Sequence, residues 1–379
     1  MTPRVAFVSA HAEYGGEERY IEVMLPMLGP EWVAGVIALA DGPHLERIAA
    51  MGFPTEAEEI GSRLGMLATA RRLRRRLRRM SPDVVHANGV KAALICALAS
   101  PGAPWKLIWV KHDLAWDGPL ARLIASRCDR VVGVSDTAVR FFKRRGERIR
   151  VVQNGVAIGD VDRGAAREWL SDVAGDAADA LICNAGRICP EKGQWAVIEI
   201  APAVLASRPG ARFLMLGKED SYYTGYEMEL RERAEELGIG AQILWMGQLE
   251  PSEAIRAIAG CDMLVAPSAH HEGSVARRGW SEGFGLAIVE AMWVGTPVVA
   301  YANGSLPETL GPCGTLIPEG DTAELAAAII SLLGDDDELA RLASCGRSRA
   351  RERYRFERTV DEMKAIYVEV SGGAHSQRS

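Results

Sequence analysis

Short apolar runs rich in β-branched residues recur along the whole chain, and between most of them hydrophobic positions fall at helical spacing. The runs at residues 5–9, 32–38, 84–86, 107–110, 131–134 and 150–152 predict a first series of strands. A second series is predicted at residues 181–185, 213–216, 243–246, 263–266 and 297–301. Strands that are apolar on both faces and alternate with helices build parallel sheets covered on either side. The rhythm breaks between Asn154 and Asp179: Asn154-Gly155 signals a turn, and residues 159–178 are polar and rich in Ala and Asp. The pattern predicts two Rossmann-like α/β domains, residues 1–157 and 179–355, joined by a linker at 158–178 and facing each other across a cleft. Open parallel sheets bind ligands beyond the carboxyl ends of their strands, so both domains are expected to line that cleft. A last helical stretch, residues 356–372, is apolar along one face.

Composition narrows the function classes. The 379 residues are 48% hydrophobic and 25% charged, as in a globular protein. No apolar run reaches the roughly 20 residues of a membrane span. The segment from Met1 to Val8 reads as a first strand rather than a signal segment. A net charge of −6 argues against nucleic acid as a partner. Seven cysteines, at 96, 128, 183, 189, 261, 313 and 345, include no C-x-x-C pair. Neither a disulfide framework nor a zinc site is expected from them, which places the chain in a reducing cytoplasm.

The densest chemistry lies in residues 267–299. Glu282 and Glu290 stand eight residues apart, and between them Gly283-Phe284-Gly285 opens an apolar helix from Leu286. A glycine turn that presents helix N-terminal amides suits an anion. Carboxylates on either side of such a turn can accept from hydroxyls, a pattern that suits a hexose, a diphosphate and a ribose in one ligand. Arg187 and Lys192 flank the loop after the predicted strand 181–185, where two cations could grip both phosphates. Read blandly, the same residues are a solvated loop and an ordinary strand–loop–helix unit. Gly15-Gly16-Glu17-Glu18 follows the first strand and opens a helix, although it is not the G-x-G-x-x-G of a dinucleotide site.

The segment from Ser281 to Met292 resembles the Glu-x7-Glu region of retaining glycosyltransferases of the GT-B fold, family 4 type. Gly186-Arg187 with Lys192-Gly193 resembles that family's Gly-Arg…Lys-Gly motif, and Gly15-Gly16 its Gly-Gly-x-Glu loop. His112, just past a predicted strand, resembles the histidine that contacts the donor sugar. His86 stands where the family has His-x-His, with Asn88 in place of the second histidine. Ser135 and Asn154-Gly155 resemble two further signatures, with Gln153 in place of the usual proline. The resemblance implies metal-independent, retaining transfer of a hexose from a nucleoside diphosphate sugar, UDP being favoured, to an acceptor hydroxyl. It assigns His112, Glu282, Arg187 and Lys192 to catalysis. It assigns Gly15, Gly16, Arg187, Lys192, Gly285, Leu286 and Glu290 to the donor. It implies no cofactor and no metal, and it implies that the first domain, on the acceptor side, is completed by the helix at 356–372. A nucleotide-sugar 2-epimerase and a non-catalytic nucleotide-sugar-binding protein are the alternatives.

Three features stand outside these motifs. The run from Arg71 to Arg79 holds seven arginines, with Leu64, Leu67, Leu73, Leu77 and Met80 close to one helical face. It is either a core-facing helix with a solvated back or a peripheral contact with an anionic membrane. Asp160-Val161-Asp162 resembles a metal motif but falls in the expected linker. Residues 270–280, with His270, His271, Arg277 and Arg278, form an insertion expected to overhang the cleft and select donor or acceptor.

Overall fold

The computed structural model describes residues 2–10, 15–59, 65–112, 114, 117–175, 178–270 and 281–375, with the side chains at 143–145, 147 and 373–375 outside it. Two compact units result, Met1–Ala157 with Arg355–Ser379, and Ile158–Tyr354.

The first unit holds strands β1 (Val5–Ser9), β2 (Val33–Ala38), β3 (Thr55–Ala57), β4 (Val84–Asn88), β5 (Lys106–Lys111), β6 (Arg130–Gly133) and β7 (Ile149–Val151). They form one parallel sheet in the order β3-β2-β1-β4-β5-β6-β7. Every residue of β1, β2 and β4 is buried, the expected state of parallel strands covered on both faces. The helices are α1 (Gly16–Leu28), α2 (Pro43–Ala50), α3 (Met66–Met80), α4 (Val90–Ala99), α5 (Pro119–Arg127) and the short α6 (Asp136–Val139). Ser135 caps α6, its Oγ accepting from the Ala138 amide at 3.0 Å.

The second unit holds β8 (Ala180–Ala185), β9 (Ala211–Leu216), β10 (Ile243–Gly247), β11 (Met263–Ala266), β12 (Val298–Tyr301) and β13 (Thr315–Ile317). This sheet is also parallel, in the order β10-β9-β8-β11-β12-β13. Its helices are α7 (Arg163–Ala174), α8 (Gln194–Ser207), α9 (Tyr226–Glu236), α10 (Pro251–Gly260), α11 (Leu286–Val294), α12 (Leu306–Leu310), α13 (Thr322–Leu332) and α14 (Asp336–Arg353). Asp321 and Asp335 cap α13 and α14, accepting from the Glu324 and Glu338 amides at 2.9 Å. The last helix, α15 (Phe356–His375), belongs to the first unit. It is led in by Val156, which bridges to Arg355, and it buries Val360, Met363, Ile366 and Tyr367.

Four expectations are corrected. Residues 158–178 are not a linker: 163–174 form α7, a helix of the second unit. Asp162 starts it, its Oδ1 accepting from the Gly164 and Ala165 amides at 2.8 and 3.1 Å, and Ala166 and Leu170 are buried. The edge strands β3 and β13 were not expected. Both are three residues long and only partly buried, so they carry no long apolar run. Cys313 and Cys345 form a disulfide that ties the loop after α12 to α14, while the other five cysteines are free and buried. In α3, Leu67 is 58% exposed and only Thr69, Ala70, Leu73 and Leu77 are buried. Leu64 lies outside the described residues.

The arginines of α3 are not all solvated. Arg72 and Arg76 both reach Glu58, a carboxylate 3% exposed, and Arg76 and Arg79 reach Glu56 in β3. Arg74 donates to the carbonyls of Ala99 and Pro101 at 2.7 Å. Arg71, Arg75 and Arg78 stay on the exposed side.

Candidate functional site

In the second unit the strand order reverses between β8 and β11, and the candidate residues leave the sheet there. β8 runs into the loop that carries Arg187 and Lys192, and β11 runs into Pro267 and Ser268. The β8 loop is held from inside. Gln194 donates from Nε2 to the Arg187 carbonyl at 3.0 Å and accepts from the Cys189 amide at 3.4 Å. Glu191, 4% exposed, receives the Tyr223 hydroxyl, and its carbonyl accepts from the Ala269 amide at 3.1 Å. Arg187 pairs with Asp220, with its own side chain 60% accessible.

Lys192 and Glu282, 90 positions apart in sequence, meet here: Nζ lies 2.7 Å from Oε2. Ser268 donates its hydroxyl to the same oxygen at 3.2 Å. The Glu282 backbone is fixed as well. Its amide donates to Asn303 Oδ1 at 2.8 Å, and its carbonyl accepts from the Ser305 amide and hydroxyl at 3.0 and 3.1 Å.

Three residues on, Gly285 precedes α11 with φ +82° and no side-chain cap, and α11 has no acidic residue in its first turn. A Cβ at Gly285 would stand 2.6 Å from Leu306 Cδ2 as well as straining the backbone, so glycine is required on two grounds. The amides that begin α11 at Leu286 thus follow directly on the Lys192–Glu282 pair. Such a helix start favours negative charge. Glu290 lies one turn beyond Leu286 on the same side of α11 and is 8% exposed. Phe284 is packed edge-on against Tyr354 at 5.7 Å, and its carbonyl accepts from the Thr309 hydroxyl at 2.7 Å.

The first unit gathers a second group where its own strand order reverses, beyond β1 and β4. His112 follows β5, and its Nε2 lies 2.7 Å from Asn88 Oδ1. Asn88 also donates from Nδ2 to the Glu17 carbonyl at 2.9 Å, which ties His112 to the Gly15-Gly16 start of α1. With the amide of Asn88 turned that way, Nε2 of His112 must carry the proton and Nδ1 is left as the ring's acceptor. Burial, with Lys111 beside it, brings the pKa of His112 down to about 3, so the ring is neutral near pH 7. Asn88, standing where a histidine was expected, therefore orients His112. His86 does not face a site. It is fully buried against Phe7 and Tyr20, and its Nδ1 lies 2.7 Å from the Tyr367 hydroxyl of α15.

Two family models match the chain. "Glycosyltransferase Family 4" covers residues 15–159 and "Glycosyl transferases group 1" covers residues 167–349. The chain belongs to the family 4 type glycosyltransferases. A GDP-mannose-dependent monoacylated alpha-(1-6)-phosphatidylinositol monomannoside mannosyltransferase of Corynebacterium glutamicum is 31% identical over 197 residues, 52% of this chain and 48% of that protein. A D-inositol 3-phosphate glycosyltransferase of Mycobacterium bovis is 29% identical over 330 residues, 78% of this chain and 63% of that protein. The chain thus spans about half to under two thirds of these relatives' length. Anabaena HepE in complex with UDP and glucose superposes with a TM-score of 0.81 at 23% identity, over 97% of this chain and 99% of that one. Sucrose-phosphate synthase from Thermosynechococcus elongatus superposes at 0.79 and 19% identity, over 98% and 100%. The fold of this chain is GT-B, with two Rossmann-like parallel-sheet units.

The sequence motifs place Ser268 before the insertion without giving it a role, and they do not single out Asn303, Glu319, Glu191 or Gln194 at this site. Pro267-Ser268 carried a local signal as the end of a strand. The others reach the site through contacts that leave no local pattern. The insertion lies outside the described residues from His271 onward, and its first residue, His270, donates its amide to Glu319 Oε1 at 2.7 Å.

Proposed function

We propose that the protein moves a hexose from a nucleoside diphosphate sugar to an acceptor hydroxyl with retention of anomeric configuration. The observation that carries this reading is the junction of Lys192, Ser268 and Glu282 directly before the start of α11. The Lys192 ammonium, held beside Glu282, suits a diphosphate together with the Arg187 guanidinium and the first amides of α11, because their positive charge offsets the charge that grows as the glycosidic bond breaks. Glu282 is assigned to hydroxyls of the donor sugar and Glu290 to the ribose. His112, Gly15 and Gly16 are assigned to the reacting groups handled by the first unit. No side chain is assigned as a covalent nucleophile. In the proposed front-face route the leaving phosphate oxygen takes the acceptor's proton, and the protein contributes positioning and electrostatics. Side chains and amides supply the positive charge on the diphosphate, so the reading needs no metal.

The nucleobase is where two indications part. The resemblance favours UDP, whereas one relative carries GDP-mannose in its name. A thermal-shift panel of UDP-, GDP-, ADP- and TDP-sugars tests the donor reading. One class should stabilise the wild type, by about 2.7 kcal/mol at a hundred times its Kd, and Lys192→Ala should lose that shift. A panel with no shift, or an undiminished shift in Lys192→Ala, contradicts it. Peripheral contact with an anionic membrane is assigned to the exposed side of α3, where Leu67, Arg71, Arg75 and Arg78 lie on one face. Co-sedimentation with phosphatidylglycerol vesicles tests this, and unchanged binding by the Arg71→Glu, Arg75→Glu, Arg78→Glu variant would refute it. Among the described residues no helix is long and apolar enough to cross a membrane.

A further inference from the structure

We propose that Glu319 is a positioning residue for Glu282 that acts through Asn303; the inference rests on the donor-site reading above and deepens it. Glu319 follows β13 on the surface, outside the sequence motifs. Its two oxygens have separate tasks. Oε2 accepts from Asn303 Nδ2 at 2.8 Å, and Oε1 accepts from the His270 amide at 2.7 Å. Asn303 is 3% exposed, and its Oδ1 accepts from the Glu282 amide at 2.8 Å. One surface carboxylate therefore ties together the chain at 270 and, through one amide, the chain at 282.

The chemistry of the three groups fixes how they must stand. An ionised carboxylate only accepts, and a backbone N–H only donates. Between them the Asn303 amide has one productive orientation, with its NH2 toward Glu319 and its oxygen toward Glu282. Both partners select that orientation: a turned amide would set two donors face to face at Glu282 and two acceptors face to face at Glu319, and without Glu319 only the Glu282 amide is left to select it. The next residue tightens the arrangement. Gly304 has φ +57°, and a Cβ there would stand 2.2 Å from the Glu282 carbonyl oxygen. Ser305 holds that same carbonyl. With its amide and carbonyl both anchored, Glu282 has only its side chain left to place, and that side chain meets Lys192. Glu319 thus serves the sugar contact of Glu282, while the diphosphate contacts of Arg187 and the α11 amides do not run through it.

The test is calorimetric titration with a nucleotide sugar and its free nucleoside diphosphate, GDP-mannose with GDP or UDP-glucose with UDP, whichever pair the wild type takes. Glu319→Ala is expected to weaken the nucleotide sugar about tenfold and leave the free diphosphate within about twofold. Asn303→Ala should do the same, and the double variant should be no worse than either single one, because both act along one path. A purely structural role would lower both affinities together, and independent roles would add. Either result, or wild-type sugar affinity in Glu319→Ala, overturns the inference. Glu282→Ala serves as the reference. If it shows no sugar-specific loss, the donor-site reading fails. If it does while Glu319→Ala does not, the inference about Glu319 alone is wrong. Should Asn303→Ala prove unstable, the exposed Glu319 still gives a folded variant for the comparison.

Discussion

At the scale of residues, the second unit concentrates cations and carboxylates that pair with one another, Arg187 with Asp220 and Lys192 with Glu282. On the proposed function, Lys192→Ala and Arg187→Ala would each remove a charge-assisted hydrogen bond to the diphosphate, of the order of 1.5–3 kcal/mol. Steady-state kinetics should show kcat/KM down about tenfold to a hundredfold in each, with folding little changed. Wild-type kcat/KM in both variants would remove these residues from the donor site. A second prediction concerns protons. Burial brings both His86 and His112 from the ordinary 6.5 down to about 3. Between those values the unfolded chain binds protons that the folded chain does not. This contribution to stability is therefore complete above about pH 6.5 and declines as pH falls toward 3, by at most about 1.4 kcal/mol per unit and histidine. Ring-proton NMR from pH 8 to pH 5 should find both imidazoles in the neutral form throughout. A midpoint near 6.5 for either ring would contradict its burial. Much of this site is legible in the chain. Arg187, Lys192, Glu282 and Gly285 sit in short motifs at the ends of strands or the start of a helix, and the structure brings Lys192 and Glu282 together beside the start of α11. Asn303 and Glu319 are not legible, because they act through hydrogen bonds to residues distant in sequence, Glu282 and His270, that leave no local pattern.

At the scale of elements, legibility follows burial. β1 and β11 occupy the residues that their apolar runs predict, because a strand covered on both faces reads as a continuous hydrophobic stretch. β3 and β13 have no such stretch, and α7 buries only Ala166, Leu170 and Ala174, too sparse a stripe to stand out from an Ala/Asp-rich segment. The Cys313–Cys345 bridge was missed for a related reason. The sequence shows spacing, whereas pairing depends on α14 returning beside the loop after α12. Arg349 donates to the carbonyls of Thr309 and Glu308, and the Tyr354 hydroxyl to that of Thr309, so α12 and the end of α14 are already close. Thiol titration of the denatured, unreduced protein should find five groups, and seven after reduction. Closing a loop of 32 positions stabilises by about 3–4 kcal/mol in the chain-entropy account, so reduction should lower Tm. Seven thiols before reduction would show that the bridge does not form.

At the scale of the whole molecule, the same device occurs twice. Each unit has a parallel sheet whose strand order reverses once, and each sets its polar residues at that reversal. The alternation of apolar runs makes two such sheets legible, and α15 is legible as an amphipathic helix. That α15 belongs with the first unit rests on contacts such as Tyr367 with His86, which no local pattern encodes. The central claim is that this architecture carries out retaining transfer from a nucleotide hexose, with the donor's charge met by Arg187, Lys192 and the start of α11. Proton NMR of the first product, formed from an α-linked donor in excess chelator, tests that claim most directly. The account predicts an α-linked product, read from the anomeric coupling, at a rate that magnesium does not restore or raise. A β-linked product, or activity that vanishes with chelator and returns with magnesium, would contradict it.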